Sequence, residues 1–195
     1  IIILNLEPIE PLLLILHQGK ITSPLTSSIN FEVSQMKKDR LNASQNQNQN
    51  SQFFEIVDLM RDRQLWAVNP HRKNGLIVYK PYHAEFAGPG AAVGSVFDLD
   101  VVKVLPVGNL SLVEPQTSQE RISAYLIRRQ WVRLIKQITD NPVPLQRSQI
   151  ILNQFEHWFD PQTVARLPDE ALALLVGVLP QTIAEVRNYA DRLEV

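Results

Sequence analysis

Six consecutive amides, Gln45-Asn46-Gln47-Asn48-Gln49-Asn50, set the first limit on how this chain folds. An alternating Gln/Asn run has no apolar surface to bury and cannot offset its own conformational entropy. It closes a polar stretch, residues 19–52, in which Ser and Thr are frequent and Lys37, Lys38, Asp39 and Arg40 form a charge cluster. The expectation is a flexible polar linker over 19–52, with a self-associating polar segment as the alternative. Residues 1–18 precede it as an apolar N-terminal segment broken by Glu7, Pro8, Glu10 and Pro11. Its longest clean run, Leu12 to Leu16, is far below the roughly 18–20 residues needed to cross a bilayer. The charges ahead of that run are acidic, the opposite of an export signal. No membrane partner is expected. The opening Ile1-Ile2-Ile3-Leu4 lacks an initiator Met, and the expectation is a fragment, a trimmed chain or a split gene product.

The chain has 195 residues, 45% hydrophobic and 20% charged, which suits one or two globular domains. Lys plus Arg is 19 and Asp plus Glu is 20, a formal charge of −1. That balance excludes attachment to nucleic acid by bulk charge and requires a local patch instead. The absence of cysteine excludes disulfides, thiolate metal sites and a cysteine nucleophile, and fits a cytoplasmic location.

Residues 53–115 read as β-rich. Phe53, Ile56, Val57 and Met60 have helical spacing, which predicts a short helix over 53–63. Leu65-Trp66-Ala67-Val68 and Leu76-Ile77-Val78-Tyr79 are strand candidates flanking a turn-rich stretch that ends in Asn74-Gly75. That arrangement predicts a hairpin with a basic tip. Val96 to Val104 and Leu110 to Val113 are further strand candidates. Gly88-Pro89-Gly90-Ala91-Ala92-Val93-Gly94-Ser95 lacks the lysine and the spacing of nucleotide-binding loops and is expected to be a surface loop.

Two pairs, His83 with Glu85 and Asp98 with Asp100, would each share a strand face, and Lys103 stands nearby. A hydrolase or nuclease could be built from them. However, the acid-to-lysine offset from Asp100 to Lys103 is three, which puts the two on opposite faces of a strand. Solvated strand edges are the expected role. With no Gly-x-Ser-x-Gly elbow either, no enzyme, cofactor or metal is expected.

The best amphipathic helix runs from Ser118 to Ile138, with Ile127, Trp131, Leu134 and Ile138 on one side. Arg121, Arg129, Arg133 and Lys136 gather opposite, with Arg128 at the border. Five cations and no acid lie between Arg121 and Thr139. Such a stripe can release counterions along a phosphate backbone, or it can be a solvated face. Asn141-Pro142-Val143-Pro144 then stops the helix. Leu145 to Phe159 has helical spacing with an aromatic face, and Trp158 and Phe159 are expected in the core. Asp160-Pro161 suits the cap of a further short helix.

The stretch from Leu167 to Tyr189 resembles a helix-turn-helix unit. Ala173 lies four residues before Gly177, Val178 follows it, and Ile183 and Val186 stand six and nine beyond. The resemblance implies that Gln181, Thr182, Glu185, Arg187 and Asn188 belong to the second helix's outward, reading side. Gln and Asn can pair with adenine, and Glu can accept from cytosine. Residues 145–195 carry four Arg and seven acids, so phosphate contacts would have to come from Arg121, Arg128, Arg129, Arg133 and Lys136. A helix-hairpin-helix likeness at Leu175 to Pro180 lacks its second glycine, since Leu179 stands there. From Ile122 to Leu193 the layout also resembles the HetZ and PatU group, cyanobacterial regulators of heterocyst differentiation. That resemblance implies a transcription-linked regulator with protein partners.

The expected fold is α+β: a small β-rich middle region followed by a C-terminal helical bundle, 116–195, containing the helix-turn-helix-like pair. The expected function is DNA-binding or DNA-associated transcriptional regulation. The alternative is a protein–protein interaction module that binds a regulatory partner without touching DNA.

Overall fold

The computed structural model describes residues 56–58, 60–61 and 63–191. The apolar segment 1–18, the linker 19–52 and the first residues of the helix expected over 53–63 lie outside them. Residues 56–58 and 60–61 are helical. Six strands follow: β1 (Leu65–Val68), β2 (Asn74–Tyr79), β3 (Ala84–Ala87), β4 (Ala92–Gly94), β5 (Lys103–Gly108) and β6 (Leu112–Val113). Five helices complete the described residues: α1 (Ser118–Thr139), α2 (Pro144–Trp158), α3 (Pro161–Ala165), α4 (Asp169–Val176) and α5 (Pro180–Asp191). The class is α+β, strands first and helices after.

The strands form two antiparallel three-stranded sheets, ordered β4-β1-β6 and β3-β2-β5. β1 and β2 therefore do not pair with each other, contrary to the hairpin expected around Asn74-Gly75. Trp66 pairs with Val93 and Val68 with Leu112, whereas Ile77 pairs with Phe86 and Leu105. The hairpin of the fold is β2–β3, closed by Lys80 N donating to His83 O at 2.8 Å. Asn74-Gly75 begins β2 instead of turning. A Cβ on Gly75 would lie 2.6 Å from the Phe86 ring, so the glycine makes room for that ring. Pro106 lies opposite Leu76 on β5, an edge strand, where a residue without an N–H costs the sheet least.

Two other expectations are corrected here. The Gly88–Ser95 stretch is not a surface loop. Ala91, Ala92 and Val93 are buried, and a Cβ on Gly88 would lie 2.3 Å from the Trp131 indole. Strand structure over 96–102 is replaced by a short 3-10 turn at Ser95–Phe97 and a further turn, and β5 begins only at Lys103.

The helices begin where the chain supplies caps. Thr117 accepts from Glu120 N while the Glu120 carboxylate receives the Thr117 N–H, a reciprocal capping box at the start of α1. Pro144 opens α2, and Asp160 accepts from Thr163 N at 2.9 Å to open α3. α1 and α2 clasp the sheets through aromatic side chains. Phe86 of β3 has Trp131, Phe155, Trp158 and Phe159 around it, with ring centroids 5.2, 4.9, 5.9 and 5.9 Å away. Trp158 and Phe159 are core residues, as their spacing predicts. One apolar core runs from Val57 through the sheets to Ile183 and Val186, so the sequence boundary near 115 does not divide it. No helix of the described residues is long and apolar enough to cross a membrane.

Candidate functional site

α1 is anchored by Ala124, Arg128, Trp131, Ile135 and Ile138, all buried. This rotation leaves Arg121, Arg129, Arg133 and Lys136 exposed on the other side. Lys136 Nζ lies 2.8 Å from Asp140 Oδ1, one turn on, and Arg121 Nε donates to Pro115 O at 3.3 Å. Among the described residues, Arg129 and Arg133 have no carboxylate within ion-pairing distance. Ile122, Leu126 and Val132 are exposed between these cations, which the helical pattern did not anticipate as a group.

Arg128 does not belong to that stripe. It is 4% exposed, with Nη2 donating to Glu85 Oε2 at 2.6 Å and lying 3.4 Å from Asp98 Oδ1. Lys80, also buried, lies 3.1 Å from Asp98 Oδ1, pairs with Asp100, and donates to Phe97 O at 2.6 Å. The other oxygen of Asp98 accepts from Gly94 N at 2.8 Å. The structure thus gathers Glu85, Asp98 and Asp100, with His83 Nε2 at 3.3 Å from Glu85 Oε1 on the outer side. His83 and Asp100 are exposed, as expected of a solvated edge, but Glu85 is half-buried and Asp98 is fully buried, which corrects the expectation for those two. Lys103 stays apart, 5.3 Å from the centre of the Tyr79 ring.

Cations fill the space between these carboxylates. Burial alone would raise the Glu85 carboxyl, but the charge and hydrogen bond of Arg128, with His83 and Lys80, hold it below its ordinary value. The hydrogen bond from Lys80 does the same for the exposed Asp100. Chemically, such a cluster ties β3, the turn after β4 and α1 together. A group of three or more His, Asp or Glu side chains placed to hold a metal is absent among the described residues. Lys80 and the depth of Asp98 were not visible in sequence. Lys80 flanks an apolar strand, where a surface position is the ordinary expectation.

The glycine-turn pair has the packing its sequence pattern predicts. Gly177 ends α4 with φ 63° and ψ 49°, and Val178 N donates to Ala173 O at 3.1 Å. Ala173, Ile183 and Val186 are buried at the crossing. A Cβ on Gly177 would meet only the Arg147 guanidinium, at 3.9 Å, so the backbone conformation and not crowding calls for glycine. Gln181, Glu185 and Asn188 are exposed and Thr182 is half-buried. Arg187 is turned inward, which corrects its assignment to the reading side. Its Nη2 donates to Val164 O and Leu167 O at 3.2 and 3.0 Å, and its Nε lies 2.9 Å from Asp169 Oδ1. It closes the loop before α4.

A groove of about 410 Å³ separates the β2–β3 hairpin from the turn of the helix pair. Its lining includes Tyr82 of the hairpin, Val132 and Lys136 of α1, and Leu174 and Val178 of the helix pair. Lys136 thus connects the basic stripe to the glycine turn. Comparison with protein-family models, curated proteins and solved structures finds no match.

Proposed function

We propose that this chain is a DNA-associated transcriptional regulator. In this reading α5 offers Gln181, Thr182, Glu185 and Asn188 to base edges, and Arg121, Arg129, Arg133 and Lys136 of α1 contact phosphates. The observation that carries it is the open flank of α5: the pair crosses at Gly177 and leaves Gln181, Glu185 and Asn188 uncovered. Arg187 and Arg128 are engaged inside the fold, so α5 supplies no outward cation over Gln181–Asn188 and affinity rests on α1. The reading includes a non-enzymatic protein of the cytoplasm working with a regulatory protein partner. This is the role implied by the resemblance to the HetZ and PatU regulators of differentiation.

A salt titration of DNA binding by the full chain tests it. Arg129→Glu combined with Arg133→Glu should abolish binding at physiological salt. Replacing the same pair with Gln should lower the slope of log K against log salt by about two. Binding that is unchanged at low and physiological salt would overturn the reading.

A second reading, docking of a protein partner without DNA, is favoured by one observation. Ile122, Leu126 and Val132 are exposed between the cations, where a surface that touches only phosphate has no use for them. Leu126→Asp would then remove partner binding.

A further inference from the structure

The apolar surface of α1 continues onto the neighbouring turn. Ile122 and Leu126 are 52% and 50% exposed. Tyr125, between them, meets Phe97 with ring centroids 5.0 Å apart. Val96, Phe97 and Leu99 of that turn are exposed as well. The turn and the first half of α1 therefore make one apolar patch, edged by Arg121 and Arg129. Contiguous apolar surface rimmed by charge marks an interaction site.

The position where the described chain begins identifies what is near. Arg61 Nη2 donates to Val101 O at 2.6 Å, and a Cβ on Gly94 would lie 3.4 Å from Met60 O. The chain thus enters the fold beside this turn. Upstream lie residues 19–55, and a random coil of that length would span about 33 Å. Beyond them, Ile1 to Leu16 is apolar, with Glu7 and Glu10 as its only charges. The patch is apolar with arginines. Segment and patch therefore match in both hydrophobicity and charge.

We propose that the apolar, acidic segment 1–18 docks in the same chain on the patch formed by Phe97, Ile122, Tyr125 and Leu126, with Glu7 and Glu10 toward Arg121 and Arg129. Tethering favours this occupant over a second copy, because a linker that spans the distance supplies an effective concentration in the millimolar range. Docking covers part of the stripe that the proposed function uses, so the segment competes with the stripe's ligand. That consequence rests on the DNA reading, and the docking does not.

The lack of cysteine makes the test clean. In the full chain, Leu13→Cys is paired with Val96→Cys, an exposed position, and treated with a short thiol cross-linker. A chain with Leu13→Cys and Tyr189→Cys on α5 is the reference. The expected result is an intrachain link in the monomer, formed at least about tenfold faster than in the reference and lost on adding Leu126→Asp. A rate no greater than the reference overturns the proposal. Links that appear only between chains and grow with protein concentration also overturn it, assigning the patch to a second copy. Because no nucleic acid enters this readout, its failure is separate from failure of the DNA reading.

Discussion

Arg128 Nη2 lies 2.6 Å from Glu85 Oε2, so a guanidinium on α1 holds a carboxylate on β3 one residue from Phe86, whose ring meets that of Trp131 on α1. The same guanidinium reaches the buried Asp98 at 3.4 Å. Truncating one member of such a group leaves its partners charged and undersolvated.

Arg128→Ala should therefore destabilise the fold by about 3 kcal/mol or more, since an uncompensated buried charge is costly. The midpoint of urea unfolding measures it. Arg129→Ala, one residue along on the exposed face, should shift stability by less than about 0.5 kcal/mol. Equal losses at the two positions would contradict the burial of Arg128.

Acid should unfold the protein partly through Glu85. Its folded-state carboxyl is held below the ordinary value of 4.5, so the unfolded chain takes up the proton first. The contribution is complete above 4.5 and is lost as pH falls through the lowered folded value. Chemical denaturation across that window should show a shallower acid limb for Glu85→Gln than for the parent chain.

Two glycines separate conformational strain from crowding. Gly177→Ala places a side chain in left-handed backbone with open space around it and should cost about 1–2 kcal/mol. Gly88→Ala drives a methyl into the Trp131 indole at 2.3 Å and should cost about 3 kcal/mol with a disturbed tryptophan environment. Thermal unfolding read by tryptophan fluorescence distinguishes them, since only Gly88→Ala should alter the folded-state spectrum.

The shared core predicts one cooperative transition. Phe86, from the sheet, is enclosed by Trp131, Phe155 and Trp158 from the helices. Tryptophan fluorescence and far-ultraviolet circular dichroism should therefore give coincident denaturation curves. Separate midpoints would mean that strands and helices unfold independently.

Most of the helical half was legible in sequence because its signals are local. Pro144, Asp160-Pro161 and Gly177 act on the backbone within a turn of themselves, and the helical spacing of Ile127, Trp131, Leu134 and Ile138 found the inner side of α1, although the buried face is turned toward Arg128 and Ile135 and leaves Ile127 and Leu134 half-buried. The strands were located more accurately than they were paired. Asn74-Gly75 carries the local sign of a hairpin, yet Gly75 answers to Phe86, a residue eleven positions away that lies on the neighbouring strand. The stripe on α1 was legible for Arg121, Arg129, Arg133 and Lys136, whereas Arg128 and Arg187 were assigned to surfaces they do not occupy.

Composition, turn residues and short-range periodicity by themselves determined the α+β class and most of the helix ends, because each depends on neighbours in the chain. Only the tertiary structure decided which strands pair, which arginines face outward and where Lys80, Glu85, Asp98 and Arg128 meet. A charged side chain at the edge of an apolar face is drawn inward or left in solvent according to whether a counter-charge from elsewhere lies within reach. Here Glu85 and Asp98, 43 and 30 residues from Arg128, supply it.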